Sequence, residues 1–207
     1  MRETLAFAAL GFLCGSFPTA YLYCLIFHKK DIRTIGSGNP GATNVFRNFG
    51  SKDGWIVLIC DALKGFIPVS IHLYSAVGFS LPIPEPSAAV FVTAVSCIAG
   101  HIFSPFLKFK GGKGVATGAG VMLASVPTCL IPSFVIWFVI LKTIRYMSVA
   151  SLASAYTFTL LAFIQFHTST TFWVSVFLSL IVTYTHRTNL KRLFNGTEPK
   201  FSFSKQQ

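Results

Sequence analysis

The stretch "LAFAALGFLCGSFPTAYLYCLIF", Leu5 to Phe27, contains no formally charged side chain. A helix of this length, rising about 1.5 Å per residue, crosses the roughly 30 Å hydrocarbon layer of a bilayer. Hydrocarbon offers no water to an unpaired peptide group, so it admits only helices and closed barrels. A removable signal peptide is the competing reading. Glu3 stands beside Arg2 ahead of the run, however, and no small-residue cleavage pattern closes it. The run also exceeds the roughly 7–15 apolar residues of a signal core. It is expected to be a retained first helix.

Outward from it, Trp55–Phe79, Ser87–Leu107, Gly114–Leu141, Met147–Phe166 and Thr171–Tyr184 are further apolar blocks. Over 207 residues, 53% are hydrophobic and only 11% charged. A soluble domain carries about a quarter charged residues. The composition excludes a soluble domain and implies an all-α fold, a polytopic integral membrane helical bundle. With no repeat and no low-complexity linker, residues 1–207 are expected to form a single integral membrane domain.

The net charge of +11 does not call for a nucleic-acid partner. Lys29, Lys30, Arg33, Arg47 and Lys52 follow the first block, and Lys108, Lys110 and Lys113 follow the third. Lys142 and Arg145 precede Met147, and Arg187, Lys191, Arg192, Lys200 and Lys205 come last, whereas Leu81–Pro86 and His167–Thr170 hold neither Lys nor Arg. Basic loops mark the cytoplasmic side. The N-terminus is therefore expected outside and the C-terminus in the cytoplasm, with an odd number of crossings. A single helix over Gly114–Leu141 would put Lys142 and Arg145 on the wrong side. Pro127 and Pro132 interrupt that block, so two short helices are expected, roughly Gly114–Val126 and Thr128–Leu141. The total becomes about seven segments, two of them short. Five cysteines, Cys14, Cys24, Cys60, Cys97 and Cys129, all fall inside apolar blocks without C-x-x-C spacing, which suggests apolar packing.

Chemistry concentrates in the polar stretches. "IGSGNPGATN", Ile35–Asn44, places Gly36, Gly38 and Gly41 on G-x-G-x-x-G spacing, with Asp61 twenty residues further on. A dinucleotide loop must follow a strand and open a helix; this one follows an apolar helix, and Asp61 lies within the next. What remains is an anion cradle of free backbone, short polar side chains (Ser37, Asn39, Thr43, Asn44) and the Arg47 guanidinium. "GGKG" around Lys113 fails as a P-loop, since Leu107 and Gly114 stand where Gly and Ser or Thr are required. It still sets an ammonium beside the positive end of a short helix, a phosphate site at the membrane surface. Gly114 and Gly118 form a G-x-x-x-G suited to close helix packing. Ser148, Ser151 and Ser154 recur at helical spacing, His186 and Asn189 are i, i+3 partners, and Asp61 and Lys64 suggest a structural ion pair.

Taken in order, "GSGNPGATNVFR", "DALKG", "GHIFSPFLKFKGGKGVATGAG", "SLAS" and "HRTN" closely resemble the PlsY family of bacterial membrane acyltransferases, from about Gly15 to Phe201, including the tail "NGTEPKF". Thr188 departs from the Glu that family members often carry in that last motif. The resemblance implies a seven-helix fold with its site on the cytoplasmic face of the bacterial inner membrane. The implied reaction moves a fatty acyl group from acyl phosphate to the 1-hydroxyl of glycerol 3-phosphate, giving lysophosphatidic acid, the first acylation of phospholipid synthesis. No cofactor or metal is implied; the expected partners are the two substrates, membrane lipid and the enzyme that hands over acyl phosphate. Ser37, Arg47, Lys113, His186 and Asn189 fall at expected catalytic positions. Gly38, Asn39, Gly41, Thr43, Asn44, Gly112, Thr117 and Ser151 are expected to bind phosphate and glycerol.

The chemistry can be checked against the residues. No Ser-His-Asp arrangement is evident, and none of the five histidines has Asp five residues later. An acyl phosphate is a mixed anhydride with a good leaving group, so positioning and charge stabilisation suffice. The expectation is that a substrate phosphate takes the hydroxyl proton. A small organic-phosphate transporter would show inverted repeats and a polar midplane, and neither is visible.

Overall fold

The computed structural model describes residues 2–78 and 85–202. Ten α-helices follow one another in these regions, with no strand among the described residues: α1 (Arg2–Ser16), α2 (Thr19–His28), α3 (Ala42–Phe49), α4 (Ser51–Val77), α5 (Ala88–Ile102), α6 (Val115–Ser125), α7 (Pro127–Thr143), α8 (Met147–Phe166), α9 (Thr170–Thr185) and α10 (Arg187–Phe194). Most of the linker Leu81–Pro86, which holds no Lys or Arg, and Lys205 lie outside the described residues.

The first block is not one helix. It breaks at Phe17 and Pro18 into α1 and α2, because proline brings no N–H and pushes the residue before it out of the helical region. The Phe17 carbonyl accepts a hydrogen bond from Lys64 Nζ at 2.9 Å, and the same ammonium pairs with Asp61 Oδ1 at 2.9 Å. The ion pair therefore braces the break.

Among the described residues four stretches are long and apolar enough to cross a membrane: Arg2–His28, Ser51–Ser75, Ala88–Leu107 and Met147–Phe166. Val115–Ser125, Pro127–Thr143 and Thr170–Thr185 are apolar but shorter. The split of Gly114–Leu141 falls at Val126 and Pro127. Pro127 starts α7 where its missing N–H costs nothing, while Pro132 is absorbed within α7. With 11 residues, α6 is only about 16 Å long, roughly half the hydrocarbon thickness.

Helix α1 lies along α5, α4 along α6, and α7, α8 and α9 pack in sequence. Small residues permit the closest approaches: a Cβ at Gly15 would lie 2.0 Å from the Cys97 carbonyl oxygen, and one at Gly120 would lie 1.8 Å from that of Ala62. Gly11 and Gly15, four residues apart, are thus the G-x-x-x-G pair that packs helices. Gly118 is not; a Cβ there would meet only Ile98 Cδ1, at an ordinary 3.7 Å.

One apolar core gathers Val69, Ala94, Cys97, Val121 and Phe158. A second, toward the basic loops, gathers Ile32, Val45, Phe46, Trp137 and Phe201. Outward, Leu5, Ile164 and Leu180 are 64%, 62% and 59% exposed, a surface suited to lipid rather than water. All five cysteines are free; Cys60, expected in apolar packing, is instead exposed.

Candidate active site

The basic loops converge at one end of the bundle. In the first, Asp31 caps a short turn and pairs with Arg33 at 2.7 Å. Gly36 follows with φ 58°, and a Cβ there would stand 2.5 Å from Asn44 Oδ1, so both backbone and space demand glycine. Asn44, in the first turn of α3, is buried, and its side-chain bonds run back into the loop and along α3. Its Nδ2 donates to the carbonyls of Ile32 (3.1 Å) and Ile35 (2.9 Å), and its Oδ1 accepts from Ser37 N (3.1 Å) and Asn48 Nδ2 (3.0 Å). Asn44, expected to face substrate, organises the loop instead. Ser37, Gly38, Asn39 and Gly41 lie ahead of α3, and Thr43 stands in its first turn. Among the described residues none of them hydrogen-bonds to Lys113, His186 or Asn189. From α3 the half-buried Arg47 donates to the Pro199 carbonyl at 3.0 Å, while its Nε is buried with no acceptor among the described residues.

The second loop doubles back on the end of α5. Gly111 N donates to Ile102 O (2.9 Å) and Gly112 N to His101 O (3.2 Å). A Cβ at Gly112 would sit 2.2 Å from His101 Nε2, so this glycine serves close approach to His101. Lys113 follows, and its ammonium donates to Asn189 Oδ1. Helix α6 then begins after Gly114 without any side chain capping its first turn. Thr117 is fully buried against Gly65 of α4, on another side of α6, and its hydroxyl has no partner among the described residues.

His186 joins α9 to α10. Its Nδ1 lies 2.8 Å from the Val182 carbonyl, an acceptor only, so Nδ1 carries the proton and Nε2 is left as the acceptor. One turn on, Asn189 Nδ2 donates to Glu198 Oε1 at 2.7 Å. Glu198 is 5% exposed; it also accepts from Arg192 Nε at 2.7 Å and Ser148 Oγ at 3.2 Å. The tail continues to Phe201, whose N–H donates to the Arg145 carbonyl at 2.6 Å and whose ring meets Phe46 edge-on.

Four expected residues, Arg47, Lys113, His186 and Asn189, thus share one neighbourhood. Three members were missed by sequence reasoning: Glu198, Arg192 and Ser148. A usable signal existed for the first, since Glu198 is one of only six acidic residues and stands among basic ones. Thr188 is exposed, so its departure from the common family residue falls outside this network.

Burial pulls the Lys113 ammonium down to about 8; Glu198 opposes this, while Arg192 and Arg47 add to it. Burial takes His186 to about 4, reinforced by Lys113. Burial also lowers Arg47, against the pull of Glu198. For Glu198, burial pushes up, but bonds from Asn189 and Arg192 outweigh it and hold the carboxyl below its usual range. At neutral pH the cluster is three cations, one carboxylate and a neutral imidazole. A net charge near +2 matches a phosphate dianion.

Beside the cluster an apolar slot enclosing about 650 Å³, its open side included, runs between α6, α8 and α9. Gly118, Met122, Ala155, Phe158 and Leu178 line it, with Ser151 near its polar end. The Ser151 hydroxyl donates back to the Met147 carbonyl at 2.8 Å. Ser148, one turn earlier on the same helix, is the serine that meets the charged cluster.

The family model described as "Glycerol-3-phosphate acyltransferase" matches residues 5–196. A glycerol-3-phosphate acyltransferase of Endomicrobium trichonymphae is 38% identical over 207 residues, the whole of both chains. One of Staphylococcus carnosus is 40% identical over 94% of this chain and 96% of its own. Among solved structures, the glycerol 3-phosphate form of PlsY, described as an integral membrane glycerol 3-phosphate acyltransferase, superposes with a TM-score of 0.85 at 34% identity over 96% of each chain. Its lysophosphatidic acid form gives 0.84 at 33% identity, over 97% of this chain and 96% of that one.

Proposed function

This chain belongs to the glycerol-3-phosphate acyltransferase family, and from that premise we propose that it moves a fatty acyl group from acyl phosphate to the 1-hydroxyl of glycerol 3-phosphate. The products are lysophosphatidic acid and inorganic phosphate. The site lies on the cytoplasmic face of the bacterial inner membrane, in one domain of seven crossings with the N-terminus outside.

One observation carries the reading: a cluster of net charge near +2 sits at the polar end of an apolar slot, where a phosphate and an acyl chain of the same molecule need to be. Arg47 and Lys113 hold phosphate, with the uncapped first turn of α6 beside them, and the buried Nε of Arg47, unpartnered among the described residues, suits a phosphate oxygen. The acyl chain lies between α6, α8 and α9. Ser37, Gly38, Asn39, Gly41 and Thr43 bound the glycerol phosphate from the α3 side. The related PlsY structures, solved in a glycerol 3-phosphate form and a lysophosphatidic acid form, agree with this pairing.

In the reaction the glycerol oxygen bonds to the acyl carbonyl carbon, and the bond from that carbon to the phosphate oxygen breaks. Phosphate leaves with the electron pair and takes the hydroxyl proton. An imidazole that holds a proton only below about 4 is a poor general base; His186 Nε2 instead accepts a hydrogen bond and orients the hydroxyl. Lys113 and Arg47 stabilise the charge that grows on the leaving phosphate, an electrostatic contribution realised in the transition state. An acyl phosphate is easily hydrolysed, which favours its direct handover from the enzyme that makes it.

Purified protein given glycerol 3-phosphate together with acyl phosphate or acyl-CoA tests the donor. Lysophosphatidate and phosphate forming in equal amounts from acyl phosphate alone is the expected result. Turnover with acyl-CoA at a comparable rate would overturn it.

A further inference from the structure

We propose that Glu198 is a positioning residue of this site: its carboxylate fixes the Asn189 amide with its oxygen toward Lys113 and balances one of the three surrounding cations. The inference rests on the phosphate-binding reading given above.

The argument begins with donors and acceptors. An ionised carboxylate only accepts, and an ammonium only donates. An amide between them has one orientation that satisfies both neighbours: nitrogen toward Glu198, at 2.7 Å, and oxygen toward Lys113. Both carboxylate oxygens are engaged, Oε1 by Asn189 and Ser148 and Oε2 by Arg192. Glu198 therefore ties α8, α10 and the tail together at a single point. Without the carboxylate, the amide nitrogen loses the partner that anchors it, and Asn189 is free to swing away from Lys113. Lys113 then loses the acceptor that holds it in place for phosphate.

Charge points the same way. The charged groups that act on Lys113 are Glu198 and Arg192, from α10 and the tail, and Arg47 from α3. His186, at the α9–α10 junction, is uncharged above about pH 4, and Asn189 is neutral. Glu198 alone favours the ammonium; burial and both arginines oppose it. Removing that carboxylate leaves three cations facing each other, so Lys113 gives up its proton at lower pH.

The test compares wild type with Glu198→Gln and Glu198→Asp in membranes. The midpoint of Lys113 titration is read by mass spectrometry from pH-dependent reductive methylation, and kcat/KM for glycerol 3-phosphate is followed over the same range. In Glu198→Gln the midpoint falls by on the order of one pH unit, and the alkaline limb of kcat/KM moves down with it. Glu198→Asp keeps the charge but draws it back from Asn189. Its limb stays in place while kcat/KM falls about tenfold, the loss of one charge-assisted bond.

An unmoved midpoint in folded Glu198→Gln overturns the charge role. Where that variant fails to fold, Glu198→Asp decides, and wild-type kcat/KM in it overturns the positioning role. Should wild type prove inactive on glycerol 3-phosphate while the Lys113 midpoint still moves in Glu198→Gln, the functional reading falls and the assignment of Glu198 stands.

Discussion

Raising the pH should switch this enzyme off earlier than a lysine-dependent site ordinarily would. Lys113 is held near 8, and on the proposed reading it is the protonated form that binds phosphate. Its charged form is therefore complete well below pH 8 and lost as pH rises through that value. The ammonium fraction falls from about nine-tenths at pH 7 to about one-tenth at pH 9, so kcat/KM for glycerol 3-phosphate should drop roughly tenfold. A lysine at its ordinary pKa near 10.4 would lose only a few per cent over that interval. Glycerol 3-phosphate does not blur this limb, because its own second proton leaves near pH 6. His186, neutral above about 4, does not blur it either. The assay is initial-rate turnover at subsaturating glycerol 3-phosphate, with the acyl donor saturating, from pH 6 to 9.5. Lys113→Arg supplies the control: a guanidinium does not titrate here, so whatever rate remains should be flat through pH 9. A wild-type profile flat to pH 9.5, or a limb that survives Lys113→Arg, would refute the assignment.

Other perturbations separate the remaining roles. Arg47→Lys keeps the charge but loses the planar fork that reaches Pro199; activity should fall about 10- to 150-fold in steady-state assays, the equivalent of one charge-assisted bond. His186→Gln should lower turnover without shifting the pH profile between 5 and 7, and loss of an acid limb there would identify the imidazole as a base after all. Ala155→Trp places bulk in the slot between α6, α8 and α9. Rates with long-chain donors should collapse while short-chain donors are still used, and a uniform loss would move the acyl chain elsewhere.

Much of the architecture was legible because hydrocarbon imposes simple rules on a chain. Met147–Phe166 was delimited to the residue by its apolar run, and the turn at Val126 and Pro127 followed from charge placement around a proline. The break at Pro18 was missed since the surrounding run is uniformly apolar; what makes the break tolerable, Lys64 reaching Phe17, comes from another helix. The site divides along the same line. Arg47, Lys113, His186 and Asn189 stood out as polar residues in glycine-rich or basic stretches. Asn44 looked identical to a substrate ligand by composition, and only its four bonds back into the loop and along α3 reveal its work. Glu198 and Ser148 meet fifty positions apart, a pairing that no local pattern encodes.

The tail from Glu198 to Phe201 also bears on how the protein comes into being. These residues follow all ten helices described above. Phe201, packed on Phe46 with its N–H on the Arg145 carbonyl, anchors the segment from which Glu198 reaches Asn189 and Arg192. A chain cut short ahead of Glu198 would keep its ten helices yet lose the carboxylate that Asn189 and Arg192 share, and is expected to be inserted but impaired. By the same reasoning, bulk fused directly after Phe201 is expected to strain that anchor and lower activity.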